Sequence, residues 1–139
     1  MVHSSGLAII YKKRILLVHP KNSRWEKTYS IPKGHVEPGE TVLEAAIRET
    51  EEEVGISVPV SLIDKTEREI FYYKKEKPWK KISYFVVRID DLNKIGLESE
   101  TVPKGQLQAS EVDWAGFVSF IDVEKRILPP MMDIIKNIG

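Results

Sequence analysis

Hydrophobic positions fall in short runs along most of this chain and in a helical period over one stretch. Leu7–Tyr11 and Ile15–His19 are runs rich in β-branched and aliphatic residues, split by the basic Lys12, Lys13 and Arg14, and predict a β-hairpin. Residues 20–28 are polar and loop-like, and a short strand is expected near Tyr29–Ile31. Glu37-Pro38-Gly39-Glu40 has the order of a type II turn, with Pro presetting the first central φ and Gly supplying the positive one. Thr41 and Glu44 then form a Thr-x-x-Glu capping box, so a helix begins here, runs to about Val54 and stops at Gly55. Leu43, Ala46, Ile47, Thr50 and Val54 make its core-facing stripe. Ser57–Ile63, Glu67–Tyr73 and Ile82–Ile89 read as strands, the last the strongest. Residues 90–110 are polar and irregular, long enough to suggest a functional connection. A further strand is expected at Val112–Val118, followed by helical segments at Ser119–Ile127 and Pro130–Ile138, the latter with Pro in its first turn. The order predicts an α/β domain, a mixed central sheet covered by helices.

Composition narrows the function classes. A chain of 139 residues is read as one domain, residues 1–139. Lysine plus arginine balance aspartate plus glutamate at 21 each, which argues against a dedicated nucleic-acid binder. With no cysteine there is no disulfide and no thiolate nucleophile or metal ligand, as fits a cytoplasmic protein. The apolar runs at the N-terminus fall short of the roughly 20 residues of a membrane helix, and no signal-peptide pattern follows, so no membrane association is expected. A monomer and a homodimer are equally compatible with the sequence.

The charge is nonetheless uneven, because Gly34–Ile56 holds seven glutamates and one arginine. At about 100° per residue, Glu49, Glu52 and Glu53 share one helix face, whereas Glu44 and Glu51 lie roughly 140–160° away, toward solvent and the cap. Ala45 falls in the middle of the acidic face and would leave room for a ligand. Like charges at these spacings weaken a helix by a few tenths of a kcal/mol per pair, and at its C-terminal half they also oppose the macrodipole. Bound cations would offset both costs. Oxygen-only ligands suit hard ions such as Mg²⁺ or Mn²⁺, and Mg²⁺ commonly joins carboxylates to substrate phosphates. Arg48, beside the face, could hold a carboxylate by a bidentate pair. From the helix alone, a solvated acidic face and a metal site are equally supported.

The loop before the helix tips that balance. Gly34, five residues, Glu40, seven residues, then Arg48-Glu49-Thr50-Glu51-Glu52-Glu53-Val54-Gly55-Ile56 resembles the Nudix box, G-x5-E-x7-R-E-U-x-E-E-x-G-U with U aliphatic. Every fixed position matches, and Thr50, where an aliphatic residue is usual, is the one departure. The resemblance implies the Nudix-type α/β/α sandwich over nearly the whole chain. It also implies hydrolysis of a nucleoside diphosphate linked to another moiety, with Mg²⁺ or Mn²⁺ as cofactor. By position, Glu49, Glu52 and Glu53 resemble the metal ligands, one of them a potential general base. Arg48 resembles the residue that orients them, Glu40 the supporting loop acid, and Gly34 the loop glycine beside which a backbone carbonyl can reach metal. Glu111 lies where many relatives place an extra acid and is a further candidate for metal or base work.

Ile31–Glu40, "IPKGHVEPGE", and Lys80–Asp90, "KKISYFVVRID", resemble the subgroup that hydrolyses diadenosine polyphosphates asymmetrically. By that resemblance Lys33, Lys81 and Tyr84 are candidates for phosphate contact and base stacking, and His35 is a loop residue or phosphate contact. Phe71–Lys81 carries five lysines against one glutamate, interleaved with aromatics. That composition suits a polyphosphate and a stacked base, and it equally suits a soluble hairpin tip. Trp25 and Trp114 are read as packing residues, and His3 and His19 are given no role. Within the family the alternatives are cleansing of nucleoside triphosphates, ADP-ribose hydrolysis, pyrophosphate removal from RNA 5′ ends, and a non-catalytic nucleotide sensor.

Overall fold

The computed structural model describes residues 1–138. Its centre is a six-stranded mixed sheet in the order β4-β5-β1-β2-β6, with β3 also paired to β1. The strands are β1 (Val2–Tyr11), β2 (Arg14–Pro20), β3 (Lys33–His35), β4 (Arg68–Lys74), β5 (Lys77–Ile89) and β6 (Val112–Ser119). Helix α1 (Val42–Val54) and the shorter α2 (Met132–Ile138) complete the layers. The predicted first hairpin forms, and its two-residue turn uses positive φ at both Lys12 (47°) and Lys13 (58°), the backbone that matches strand twist. Lys75 (48°) and Glu76 (68°) turn the β4–β5 hairpin in the same way.

β1 runs parallel to β5, from Val2 opposite Lys80 to Tyr11 opposite Ile89. Its other edge is shared: Ser4–Gly6 pair with β3, and Ile10–Tyr11 pair with β2. Alternation along the strands divides the apolar residues between two cores. Leu7, Ile9, Phe85 and Val87 pack with Ala46 and Val54 of α1. Ala8, Ile10, Ile82, Tyr84 and Val86 pack on the opposite face with Met131 and Ile134. The result is the expected sandwich, with one helix on each face of the sheet.

Three predicted elements differ. Ser57–Ile63 is not a strand: Pro59 has no N–H to donate, its carbonyl accepts from Leu62 N–H at 3.0 Å in a 3₁₀ turn, and Ile63 alone bridges to Val87. Tyr29–Ile31 makes isolated bridges only, Ser30 to Val18 and Tyr29 to Ile127. Ser119–Ile127 is a turn followed by one 3₁₀ turn at Val123–Lys125, and Ile121 is exposed where a helix would have used it. The 90–110 connection contains 3₁₀ turns at Leu92–Ile95 and Lys104–Gln106. Among the described residues no helix is long and apolar enough to cross a membrane.

Candidate metal and pyrophosphate site

The acidic helix is set in place by its own N-terminal loop. The turn closes through Glu40 N–H to the Glu37 carbonyl at 3.1 Å, with Gly39 at φ 82°. Glu37 N–H donates back to Glu40 Oε1 at 3.0 Å. The capping box is complete: Thr41 N–H donates to Glu44 Oε1 at 2.9 Å and Glu44 N–H to Thr41 Oγ1 at 3.1 Å. Gly55, at φ 68°, donates its N–H to the Glu51 carbonyl and ends the helix. Thr50, the departure from the motif, is fully buried and donates its hydroxyl to the Ala46 carbonyl at 2.8 Å. A polar atom in the apolar stripe is thereby satisfied.

Arg48 is the hub of the loop and helix. Its Nε and Nη2 clasp Glu40 at 2.6 and 3.0 Å, a bidentate pair. Nη2 also donates to the His35 carbonyl at 3.0 Å, tying β3 to the helix. Nη1 donates to Glu49 Oε1 at 2.9 Å and Glu52 Oε2 at 3.1 Å. The Arg48 hydrogen bonds, followed by the Glu37 main chain, hold the Glu40 carboxyl down at about 2. Gly34 pairs with Ser5 on the sheet face that meets α1. A Cβ there would lie 2.1 Å from the Glu49 carboxyl carbon, so the Glu49 carboxylate occupies the space that a side chain at this position would take.

Glu53 differs from its neighbours. Burial pushes its carboxyl up to about 8; the Lys33 charge and main-chain N–H oppose the shift, and the Glu49 and Glu111 charges add to it. Glu111 is exposed at the start of β6, where its carbonyl accepts from Lys21 N–H at 2.9 Å. The connection that precedes it closes the end of α1: Gln108 N–H donates to the Glu53 carbonyl at 2.9 Å, and the Gln106 amide reaches the Val54 carbonyl at 3.3 Å. The long polar segment therefore caps the helix that bears the acids.

Among the described residues, no three acidic or histidine side chains stand close enough together to hold a metal ion. Glu49 and Glu52 both accept from Arg48 Nη1, and the Glu53 carboxyl feels the Lys33 main chain and the Glu49 charge beside it. The donor set still fits a hard divalent ion. It consists of oxygens alone, and Glu53 is partly buried near two further carboxylates with Lys33 as the first opposing charge. Mg²⁺ commonly takes one or two carboxylates and completes its shell with water and phosphate, so an open site suffices. Ala45 is corrected: it is fully buried, and its small side chain admits protein rather than leaving room for a ligand.

Register decides the candidates for substrate contact. Lys33 lies opposite Gly6, on the face away from α1. On β5, Lys80, Ile82 and Tyr84 share that face, whereas Lys81 and Ser83 share the other. Lys81 is paired with Glu69 at 3.0 Å. Lys80 instead approaches Lys33, and burial, then the Lys33 charge, lowers its ammonium to about 8. The sequence singled out Lys81; the cation beside Lys33 is Lys80, and strand parity relative to Tyr84 is the signal that could have found it. Tyr84 is a second correction. Its ring is fully buried in the core on the α2 side, with no hydrogen-bond partner for its hydroxyl, and it has no open face on which a base could stack. His35 is exposed and reaches the site through its carbonyl. In the hairpin, Lys74 lies 4.5 Å from the Trp79 ring centroid and Lys80 lies 5.7 Å from that of Tyr72.

The NUDIX domain model matches residues 1–136. This chain belongs to the Nudix family. Among curated relatives of this Nudix protein, the asymmetrical bis(5'-nucleosyl)-tetraphosphatase of Mus musculus is 44% identical over 63 residues, 45% of this chain and 42% of the relative. The match thus spans less than half the mouse protein's length. The protein of the same name from Caenorhabditis elegans is 33% identical over 104 residues, 72% of this chain and 74% of that one. In structure, the C. elegans Ap4A hydrolase binary complex superposes with a TM-score of 0.70 at 24% identity, over 99% of this chain and 95% of that one. At that identity the superposition supports the sandwich fold.

Proposed function

We propose that this Nudix protein is a metal-dependent pyrophosphohydrolase whose substrate is a dinucleoside polyphosphate, cleaved asymmetrically. The observation that carries the reading is the Arg48 hub, which orients Glu49 and Glu52 from one guanidinium beside the partly buried Glu53. Relatives named as asymmetrical bis(5'-nucleosyl)-tetraphosphatases support the substrate class. Glu49, Glu52 and Glu53, with the backbone at Gly34 and the nearby Glu111, would hold Mg²⁺ or Mn²⁺. Such an ion neutralises phosphate charge and lowers the pKa of water.

The protein's own residues do the positioning. Lys33 and Lys80 form a cationic pair suited to two neighbouring phosphates of one chain. Arg48, anchored by Glu40, keeps the carboxylates from drifting as charge develops. Water attacks one phosphorus and its proton passes to a glutamate carboxylate. The phosphoric anhydride P–O bond breaks, and the leaving phosphate departs with the electron pair. No covalent enzyme intermediate is required.

A product-resolved panel in ¹⁸O-labelled water tests this, with diadenosine tetraphosphate, ADP-ribose and oxidised dGTP each supplied with Mg²⁺ or Mn²⁺. The expected result is ATP plus AMP from diadenosine tetraphosphate, with label in one product. Binding without hydrolysis of any substrate would identify a nucleotide sensor instead. Preferred turnover of ADP-ribose or the triphosphate would reassign the substrate.

A further inference from the structure

An aromatic cluster lies outside the acidic site, against the β2–β6 side of the sheet. The His19 ring is fully buried, and both its nitrogens are engaged, by Asp113 Oδ1 at 2.5 Å and the Arg24 carbonyl at 2.8 Å. Trp25 stacks flat on that fixed ring, with centroids 3.7 Å apart and planes 2° from parallel. One indole face is thus covered, yet Trp25 remains 55% exposed, so its other face is open to solvent. The loop holding it is tied down on both sides. Ser23 N–H donates to the Pro20 carbonyl at 3.2 Å, and Lys27 N–H to the Lys125 carbonyl at 3.1 Å. The open indole is therefore a preorganised surface, where a merely structural tryptophan would be covered.

Chemistry for a nucleotide surrounds it. A cleft of about 390 Å³ is lined by Arg14, Trp25, Tyr29, Trp114, Asp122 and Arg126, among others. A second cleft, of about 460 Å³, continues past Trp25 and Arg126. Arg126 donates to the Tyr29 hydroxyl at 2.8 Å and covers the Tyr29 ring 5.1 Å from its centroid. Arg14 is half-exposed and pairs through its Nε with Glu100 at 3.2 Å. Aromatic faces beside guanidinium groups are the combination that holds a base and its phosphate, and Asp122 offers an acceptor for an exocyclic amine.

The loop bearing Trp25 begins beside the start of β6. Lys21 hydrogen-bonds the Glu111 main chain, and Trp25 follows four residues later, at most about 14 Å along the chain. We propose that the Trp25 cleft is a second nucleobase site. It takes the base of the distal nucleotide of a dinucleoside polyphosphate by stacking on the open indole face, with the Arg126 guanidinium beside it. The occupant named here rests on the dinucleotide reading above; the base site itself can be tested apart from it.

The test compares diadenosine tetraphosphate with adenosine 5′-tetraphosphate, which has the same phosphate chain and no second base. In Trp25→Ala the ratio of their KM values should rise about tenfold, the scale of one lost stacking contact. Trp25→Phe, which keeps an aromatic face, should recover most of it. Equal KM changes for the two substrates, or none, would overturn the proposal. If the wild-type protein hydrolyses neither, the dinucleotide reading fails, and AMP alone then decides the base site. AMP should quench tryptophan emission in the wild type, and the quenching should fall in Trp25→Ala, which removes the stacking face and leaves Trp114 to report from the same cleft. Quenching that is absent in the wild type, or unchanged in the variant, would overturn the site.

Discussion

Gly34→Ala tests the loop–helix contact with one methyl group. The new Cβ would lie 2.1 Å from the Glu49 carboxyl carbon, whereas carbon atoms pack at about 3.5–4.0 Å. Gly34 lies in β3, a conformation alanine adopts freely, so the effect is steric. To relieve the clash the Glu49 carboxylate must retreat by about 1.5 Å, away from Arg48 Nη1, which now holds it at 2.9 Å. Because the atoms met are the far end of a flexible side chain, the cost is at the low end of overpacking, about 1 kcal/mol, or roughly 4 °C in Tm for a chain of this size. A catalytic group misplaced by about 1 Å can cost on the order of 100-fold in rate. Thermal unfolding and Mg²⁺-dependent turnover should therefore both fall, turnover more sharply. Adding Glu49→Asp, which withdraws the carboxylate by one methylene, should restore part of the lost Tm, with a coupling at the low end of contacting pairs, about 0.5 kcal/mol. Wild-type Tm and turnover in Gly34→Ala would refute the contact. A loss of Tm that is purely additive with Glu49→Asp would show that Glu49 is not what the methyl meets.

Three further outcomes follow from the charges. Glu40 has a folded-state pKa of about 2, below its ordinary value of 4.5, so its stabilising contribution is present above pH 4.5 and is lost as pH falls toward 2. The Tm gap between wild type and Glu40→Gln should accordingly close over that window; a gap constant with pH would contradict it. Glu53 has the opposite sign, its folded pKa raised to about 8, so in chelator the wild-type Tm should decline from pH 5 to 8 more steeply than that of Glu53→Gln. Parallel profiles would show that Glu53 ionises freely. Lys80 is lowered to about 8, so KM for polyphosphate should climb as pH rises through 8, and Lys80→Met should show a high KM without that climb. An equal effect in Lys81→Met would reverse the assignment.

The parts legible in the sequence are those fixed by neighbours along the chain. The Glu37–Glu40 turn, the Thr41–Glu44 box and the Gly55 stop each use side chains within a few residues of the groups they satisfy, so α1 and the phase of its glutamates follow from spacing alone. The basic turn at Lys12–Lys13 was legible for the same reason. What a local window does not hold depends on pairing between distant segments. Lys80 and Lys81 are equivalent in composition, and the β1–β5 and β4–β5 registers send one toward Lys33 and the other to Glu69. Tyr84 has the sequence of a stacking residue, but the packing of the C-terminal segment beside it cannot be read from a local window. Ser57–Ile63 has strand propensity that Pro59 overrides. The wheel placed Glu49, Glu52 and Glu53 on one face correctly; which way each carboxylate turns is set by Arg48 and Lys33.

Turnover of diadenosine tetraphosphate with Mg²⁺, measured for single glutamate-to-glutamine variants of α1, tests the proposed chemistry most directly. Glu52→Gln and Glu53→Gln should each lose several orders of magnitude in kcat with the fold intact, the scale of removing metal-assisted chemistry. Glu44→Gln and Glu51→Gln, at the exposed cap and outer face, should stay within a fewfold of wild type. Near-wild-type kcat in both Glu52→Gln and Glu53→Gln would contradict the assignment of this helix face to catalysis.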